Sequence, residues 1–448
     1  MIRRLVVLLL LVGGRALIEP LRAPTEGVIG PASLLSFGVL LLTADTLGQL
    51  AHDLKLPRLL GYLLAGLVLG PTLMGVVPEG AITDLGMMKQ LAVGVIGLLA
   101  GVELRLPDVR QRWRTIVAIL GAQTVIVVVL LTAGVLLLRG QLPFLGGLGP
   151  AALVATAVLI ATTLTVNSPM VTLALLSETR AQGPVAKTVL GVVLLADVLI
   201  IVLFTVALAV AQGTMDASGG IGAGELLARL WGDVFGSIVA GVVIGGILTL
   251  YLRFVQREMI LFAVMVVFAT AFAAETLHFE LLLSLLVAGF LVENVAPVRA
   301  EPLVHALEET AGPVFVVFFA LAGAELHLEA FLSLWPVVLA LAALRAAGVF
   351  AGAQLGSRWG GAEEPVRRYA WMGLVSQAGV ALGLATLIAE RFPAVGIGAQ
   401  AVIVGIIAVN ETLGPILFRQ ALVRAGEVEE EAAGRAGAAG LDPREAPR

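Results

Sequence analysis

Two ionisable residues sit near the middle of long apolar runs. Asp197 stands in Leu194-Leu195-Ala196-Asp197-Val198-Leu199, and Arg345 in Leu344-Arg345-Ala346-Ala347-Gly348. A charge at bilayer depth costs about 2.5–3.5 kcal/mol on insertion scales, so one that persists is by default functional. The bland role for this pair is mutual neutralisation in an ion pair; the sharper one is handling of a proton or an ion. Two polar interruptions accompany them, Thr163-Leu164-Thr165-Val166-Asn167-Ser168-Pro169 and Ser376-Gln377-Ala378-Gly379. Pro169 removes a backbone donor, and neighbouring hydroxyl and amide groups can satisfy the carbonyls that a broken helix frees. Carboxylate, hydroxyl, amide and carbonyl oxygens are hard donors, suited to a small alkali cation. The candidate set is therefore Asp197 with Thr165, Asn167 and Ser168, supported by Ser376 and Gln377 and charge-compensated by Arg345. Cysteine is absent and the four histidines show no metal-ligand spacing, so neither a cofactor nor catalytic residues are expected.

The elements that carry these residues follow from composition. Of the 448 residues 59% are hydrophobic and 13% charged, about half the charged share of soluble domains, and the mean hydropathy is +1.02. A net charge of −4 excludes the basic surface a nucleic-acid binder needs. Apolar runs long enough to cross a bilayer fall at 31–51, 59–77, 86–104, 115–138, 150–175, 185–211, 234–254, 258–275, 280–298, 303–324, 330–357, 368–390 and 396–418. The expected fold is an all-α polytopic membrane protein of about thirteen transmembrane helices. Residues 1–30 read as a signal-like segment or an extra N-terminal helix, 31–420 as the transmembrane domain, and 421–448 as a disordered cytoplasmic tail. Among other in-span charges, Asp45 and Lys89 read as structural groups at packed interfaces and Glu411 as packing glue. Glu103, Glu275, Glu293 and Glu325 lie at span ends, within reach of water.

The connections after odd-numbered spans hold sixteen basic residues against five on the opposite side, which places the C-terminus in the cytoplasm. An internal repeat is also present. Leu63-Leu64-Ala65-Gly66 matches Leu286-Val287-Ala288-Gly289 at an offset of 223, and Leu99-Ala100-Gly101-Val102-Glu103-Leu104 matches Leu321-Ala322-Gly323-Ala324-Glu325-Leu326 at 222. Repeat one then spans 59–211 and repeat two 280–418. They start an odd number of spans apart, so they are inverted, and transporters built this way hold substrate near the midplane at crossed, discontinuous helices.

The chain also resembles the monovalent cation:proton antiporters, the Kef-type branch especially. The resemblance rests on Leu56-Pro57-Arg58-Leu59-Leu60-Gly61-Tyr62-Leu63-Leu64-Ala65-Gly66-Leu67-Val68-Leu69-Gly70-Pro71, supported by the segments 318–326, Ser376 to Gly379 and Asn410 to Pro415. It implies the sodium–proton antiporter fold, a homodimer in the plasma (inner) membrane with interface and core domains, and elevator-like alternating access. By position it makes Asp197 the site that binds the transported Na⁺ or K⁺ and the proton. It puts polar ligands at Asn167 and Ser168, and the family's basic residue at Arg345. Members usually carry Asp, Asn or Gln before this aspartate. Ala196 stands there instead, which argues for one-for-one, electroneutral exchange.

The expected activity is thus secondary transport, not enzymatic catalysis, with a monovalent cation and protons competing at Asp197 as substrates and the lipid bilayer as surroundings. A sodium-coupled organic-anion carrier on a related inverted-repeat fold and a non-transporting membrane sensor are the alternatives. An intramembrane aspartyl protease would need a second catalytic carboxylate in a Gly-x-Gly-Asp type motif, and Leu-Leu-Ala precedes Asp197 instead.

Overall fold

A computed structural model describes residues 30–215, 223–255, 258–277, 279–296, 300–325, 328–377 and 380–428. The expectations for the N-terminal segment and the distal tail lie outside these residues. Among the described residues the secondary structure is helical, with no strand. The helices are α1 (Pro31–Asp53), α2 (Arg58–Leu69), α3 (Glu79–Asp84), α4 (Gly86–Glu103), α5 (Leu106–Leu137), α6 (Pro150–Thr163), α7 (Pro169–Thr179), α8 (Pro184–Thr214), α9 (Ala223–Phe254), α10 (Met259–Leu277), α11 (Leu281–Asn294), α12 (Glu301–Ala324), α13 (Leu328–Trp359), α14 (Glu364–Gly373), α15 (Val380–Arg391) and α16 (Pro393–Ala425).

Nine of them contain a stretch long and apolar enough to cross a membrane: α1, α4, α5, α8, α9, α10, α12, α13 and α16. The runs expected at 59–77 and 280–298 form helices of only 12 and 14 residues, α2 and α11. Helix α2 stops because Pro71 disfavours helical geometry in the residue before it, and Gly70 is extended with ψ 177°. The runs at 150–175 and 368–390 are each split in two, as α6–α7 and α14–α15. Helix α5 begins at Leu106 rather than 115, because charged residues such as Arg110 and Arg112 prolong a helix without being apolar.

The chain divides into two compact units. One takes the chain up to Arg105 and Asp233–Glu329, the other Leu106–Gly232 and the chain from Ala330 onward. In the first unit α2 packs on α12 and α4 on α11 with backbones nearly touching. A methyl group on Gly66 would lie 2.0 Å from the Ala320 carbonyl, and one on Gly323 2.2 Å from that of Leu63. At the other pair, a methyl on Gly101 would meet the Leu286 carbonyl at 2.2 Å, and one on Gly289 the Leu98 carbonyl at 2.4 Å. Small residues permit this approach where no hydrophobic drive joins helices in lipid. Lys89 pairs with Glu325 at 2.5 Å and Arg105 with Glu293 at 3.2 Å, so Lys89 and the span-end carboxylates Glu293 and Glu325 are neutralised locally. Asp45 lies instead on an exposed part of α1, where Gln49, one turn on, donates to it at 2.6 Å.

In the second unit, α5 and α13 meet through a stripe that composition alone does not reveal. Methyl groups on Gly352, Gly356 and Gly360 would lie 2.4, 2.4 and 2.5 Å from the Cα atoms of Gln123, Ile119 and Thr115. Helix α16 runs on to Ala425, beyond the expected end at 418, and the chain just after it is held in place. The Glu427 carboxylate accepts from the backbone N–H groups of Val185 (2.7 Å) and Ala186 (2.8 Å), in the first turn of α8. Two orphan helix donors are thereby satisfied. Burial raises the Glu427 pKa, the two hydrogen bonds and Arg112 lower it, and Glu363 raises it, with a net upward shift.

Candidate functional site

The two split helices belong to the second unit, and the first break has a local cause. At the end of α6 the Thr163 hydroxyl donates to Leu159 O (2.9 Å) and the Thr165 hydroxyl to Thr162 O (2.6 Å), competing with the continuing helix ladder. Ser168 is extended (φ −102°, ψ 108°) and caps α7 by accepting from Val171 N, while Pro169 takes the first helical position, where its missing N–H is harmless. The proline therefore starts the second half-helix rather than bending a continuous one. In the other helix, α14 ends at Gly373 and α15 begins at Val380.

The two breaks are laced to each other. Ser168 N donates to Ser376 O at 3.1 Å, the Asn167 amide to Leu374 O at 2.5 Å, and the Gln377 amide to Leu164 O at 2.9 Å. Asn410 on α16 donates to the Gln377 side-chain oxygen at 2.8 Å, and Gln123 on α5 to the Asn167 side-chain oxygen at 3.1 Å. Arg345 closes the arrangement. Its side chain is 0% exposed, and Nε reaches Leu164 O at 2.6 Å, Nη1 Val375 O at 2.6 Å and Nη2 Val166 O at 2.9 Å. The guanidinium thus sits where α6 and α14 both end. A helix C-terminus carries roughly half a negative charge, so one buried cation faces two partial negative ends. That arrangement explains how a full charge is held by neutral carbonyls.

Of the residues singled out in the sequence, Asn167, Ser168, Arg345, Ser376 and Gln377 meet at this crossing. Thr165 lies in the first break with its hydroxyl turned back onto Thr162. Asp197 is half-buried on α8, a helix that packs on α6, α7 and α14. Two buried oxygens at the crossing have no hydrogen-bond partner among the described residues, Ser376 Oγ and Gln123 Oε1. They are 1% and 2% exposed by residue, and an oxygen in that condition suits a cation or a water. Gln123 does not stand out in the sequence, Asn410 does so only within the motif Asn410 to Pro415 and not as a site residue, and the carbonyls of Leu164, Val166, Leu374 and Val375 carry no sequence signal. The available signal was an amide inside an apolar run, which is expensive in lipid for the same reason a charge is.

An all-helical membrane protein with two interrupted helices laced together at a buried arginine defines a class of secondary transporter architecture. The model of one family, described as "Sodium/hydrogen exchanger, transmembrane", matches residues 38–420, and the chain belongs to that family of cation:proton antiporters. Two solved structures share the fold. One is described as the sodium proton antiporter MjNhaP1 from Methanocaldococcus jannaschii at pH 8, with a TM-score of 0.60 and 15% identity, covering 88% of this chain and 97% of that one. The other is an electron-microscopy map of MjNhaP1, with a TM-score of 0.62 and 17% identity over 93% and 99% of the two chains. Among curated proteins, no sequence matches the chain.

Proposed function

We propose that the protein exchanges one monovalent cation, Na⁺ or K⁺, for one proton by alternating access, both competing for the Asp197 carboxylate. The observation that carries this reading is the crossing itself, a fully buried Arg345 bonded to three carbonyls of two broken helices on which the Asp197 helix packs. Arg345 then acts as the counter-charge that holds the crossing, not as a ligand. Asn167, Ser168 and Thr165 line the first break, and Ser376 and Gln377 the second, as the sources of hard oxygen in the proposed site.

In this mechanism a proton leaves Asp197 to water on one side as a cation takes its place, and the reverse happens on the other side. Either occupant neutralises the carboxylate. The bare anion pays the cost of a charge in an apolar setting, so the unloaded carrier returns poorly and the two fluxes stay coupled. Ala196 supplies no second carboxylate, so each cycle moves one positive charge in each direction and is electroneutral. The two offsets found in the sequence fit inverted repeats, because they carry Gly66 to Gly289 and Gly101 to Gly323, and those four residues form the two close approaches of the first unit. The setting we assign is a homodimer in the plasma membrane, with the C-terminus in the cytoplasm.

Proteoliposomes with an internal pH dye test the reading. Addition of Na⁺ or K⁺ should dissipate an imposed pH gradient with wild-type protein and leave it intact with Asp197→Asn. A substituted protein that exchanges as fast as wild type would overturn the assignment.

A further inference from the structure

Helices α13 and α14 bound a cavity of about 390 Å³ lined by Gln354, Arg358, Glu364, Arg367 and Arg368. Its volume falls within the roughly 300–1,000 Å³ of small-molecule sites, and its lining is basic. Arg367 is held by Glu364 in an i,i+3 ion pair, so Arg358 and Arg368 are the two charges this carboxylate leaves uncompensated. The cavity stands at the end of a membrane-spanning stretch, Leu334–Trp359. Beside Arg358, Trp359 is 72% exposed, as residues of an interfacial aromatic belt are. Deeper by eight residues, about 12 Å of helix, Phe350 is exposed and packs edge-on against Trp371 with ring centroids 5.2 Å apart. Phe350, Gln354 and Arg358 recur every four residues along one side of α13, so the Phe350–Trp371 pair leads up to the cationic cleft. Trp359, nine residues from Phe350, lies on the opposite face and marks only the depth of the helix end.

We infer that this cleft binds the phosphate of an anionic phospholipid, with an acyl chain lying along Phe350 and Trp371. A phosphate monoester or free phosphate would satisfy the same arginines, but it would make no use of the aromatic approach. The side fits as well, since Arg358, Arg367 and Arg368 lie in a connection that the charge bias assigns to the cytoplasm, where anionic lipid is concentrated.

The test uses the full chain purified in detergent, with the thermal unfolding midpoint followed during titration with phosphatidylglycerol, phosphatidylcholine or inorganic phosphate. Phosphatidylglycerol should raise the midpoint and phosphatidylcholine should not. Each arginine near an anionic lipid surface contributes about fivefold in binding, so the double substitution Arg358→Gln with Arg368→Gln should raise the half-saturating phosphatidylglycerol concentration by about 25-fold. Glu364→Gln releases Arg367 and should lower it by about fivefold. It serves alone if the double variant does not fold. Unchanged half-saturation in the variants, or equal stabilisation by phosphatidylcholine, would overturn the site. Inorganic phosphate acting at the same concentration as the lipid would overturn the lipid assignment.

Discussion

Replacing Arg345 by alanine removes three donors at once, and the structure sets the size of the loss. Leu164 O keeps the bond from Gln377, whereas Val166 O and Val375 O lose the donors that satisfy them. A buried carbonyl left unsatisfied costs about 1–3 kcal/mol, so two cost about 2–6 kcal/mol. Relief of the guanidinium's own desolvation offsets part of this, which puts the expected destabilisation toward the lower end. Against a total stability of about 5–15 kcal/mol, that is large but survivable. Lysine at this position offers a compact ammonium on a flexible stem instead of a planar fork and loses the fixed geometry that bonds three carbonyls at once, so it should fall between wild type and alanine. The assay is denaturant or thermal unfolding of the purified protein, run beside cation-dependent proton flux. Graded loss of stability in the order arginine, lysine, alanine, with exchange falling in step, is the expected outcome. An alanine variant as stable as wild type but unable to exchange would refute the clamp and make Arg345 a direct participant in transport.

Two further perturbations bear on the scaffold. Gly356→Ala should destabilise by about 1–3 kcal/mol, because its methyl would lie 2.4 Å from Ala118 O and Ile119 Cα, and a crosslink between cysteines placed on α5 and α13 should report their separation. For Glu427, whose native pKa is raised by burial, the folded state holds its proton more tightly than the unfolded chain. Stability contributed by that proton is complete below the unfolded value of about 4.3 and is lost as pH rises through the raised native value. Unfolding midpoints measured across this window should slope downward in wild type and flatten in Glu427→Gln, and equal slopes would remove Glu427 as their source.

The chemistry of the breaks was legible in the sequence because it uses residue types that lipid penalises. Pro169 with its flanking Thr, Asn and Ser, and Ser376-Gln377 inside an apolar run, mark both interruptions. Arg345 was visible for the same reason, but its partners were not. A charge invites a search for an opposite charge, and its hydrogen bonds go to backbone carbonyls, which every residue has and no sequence distinguishes. Gln123 is not legible in the sequence because its role depends on α5 lying against α6, which brings its amide to Asn167; likewise the spacing of Gly352, Gly356 and Gly360 makes sense only once the facing helix is known. The short length of α2 was encoded at Gly70-Pro71, although the apolar run continues past it. Nothing in the charge pattern of the C-terminal segment distinguished Glu427 from the acidic residues that follow it.

The lacing at Arg345 also constrains how the chain can be assembled. Leu164 O and Val166 O wait for a donor 181 and 179 residues further along, and Val375 O is made 30 residues after it. During synthesis the first interrupted helix therefore enters the bilayer with carbonyls that lipid cannot solvate, while the segments that satisfy them are still on the ribosome. Water or lipid headgroups must serve those carbonyls in the meantime, so α6 and α7 settle fully only when α13 and then α14 arrive. Truncations that end before residue 345 should leave this interrupted helix open to proteases and insertion quality control, whereas those that end after 377 should shelter it.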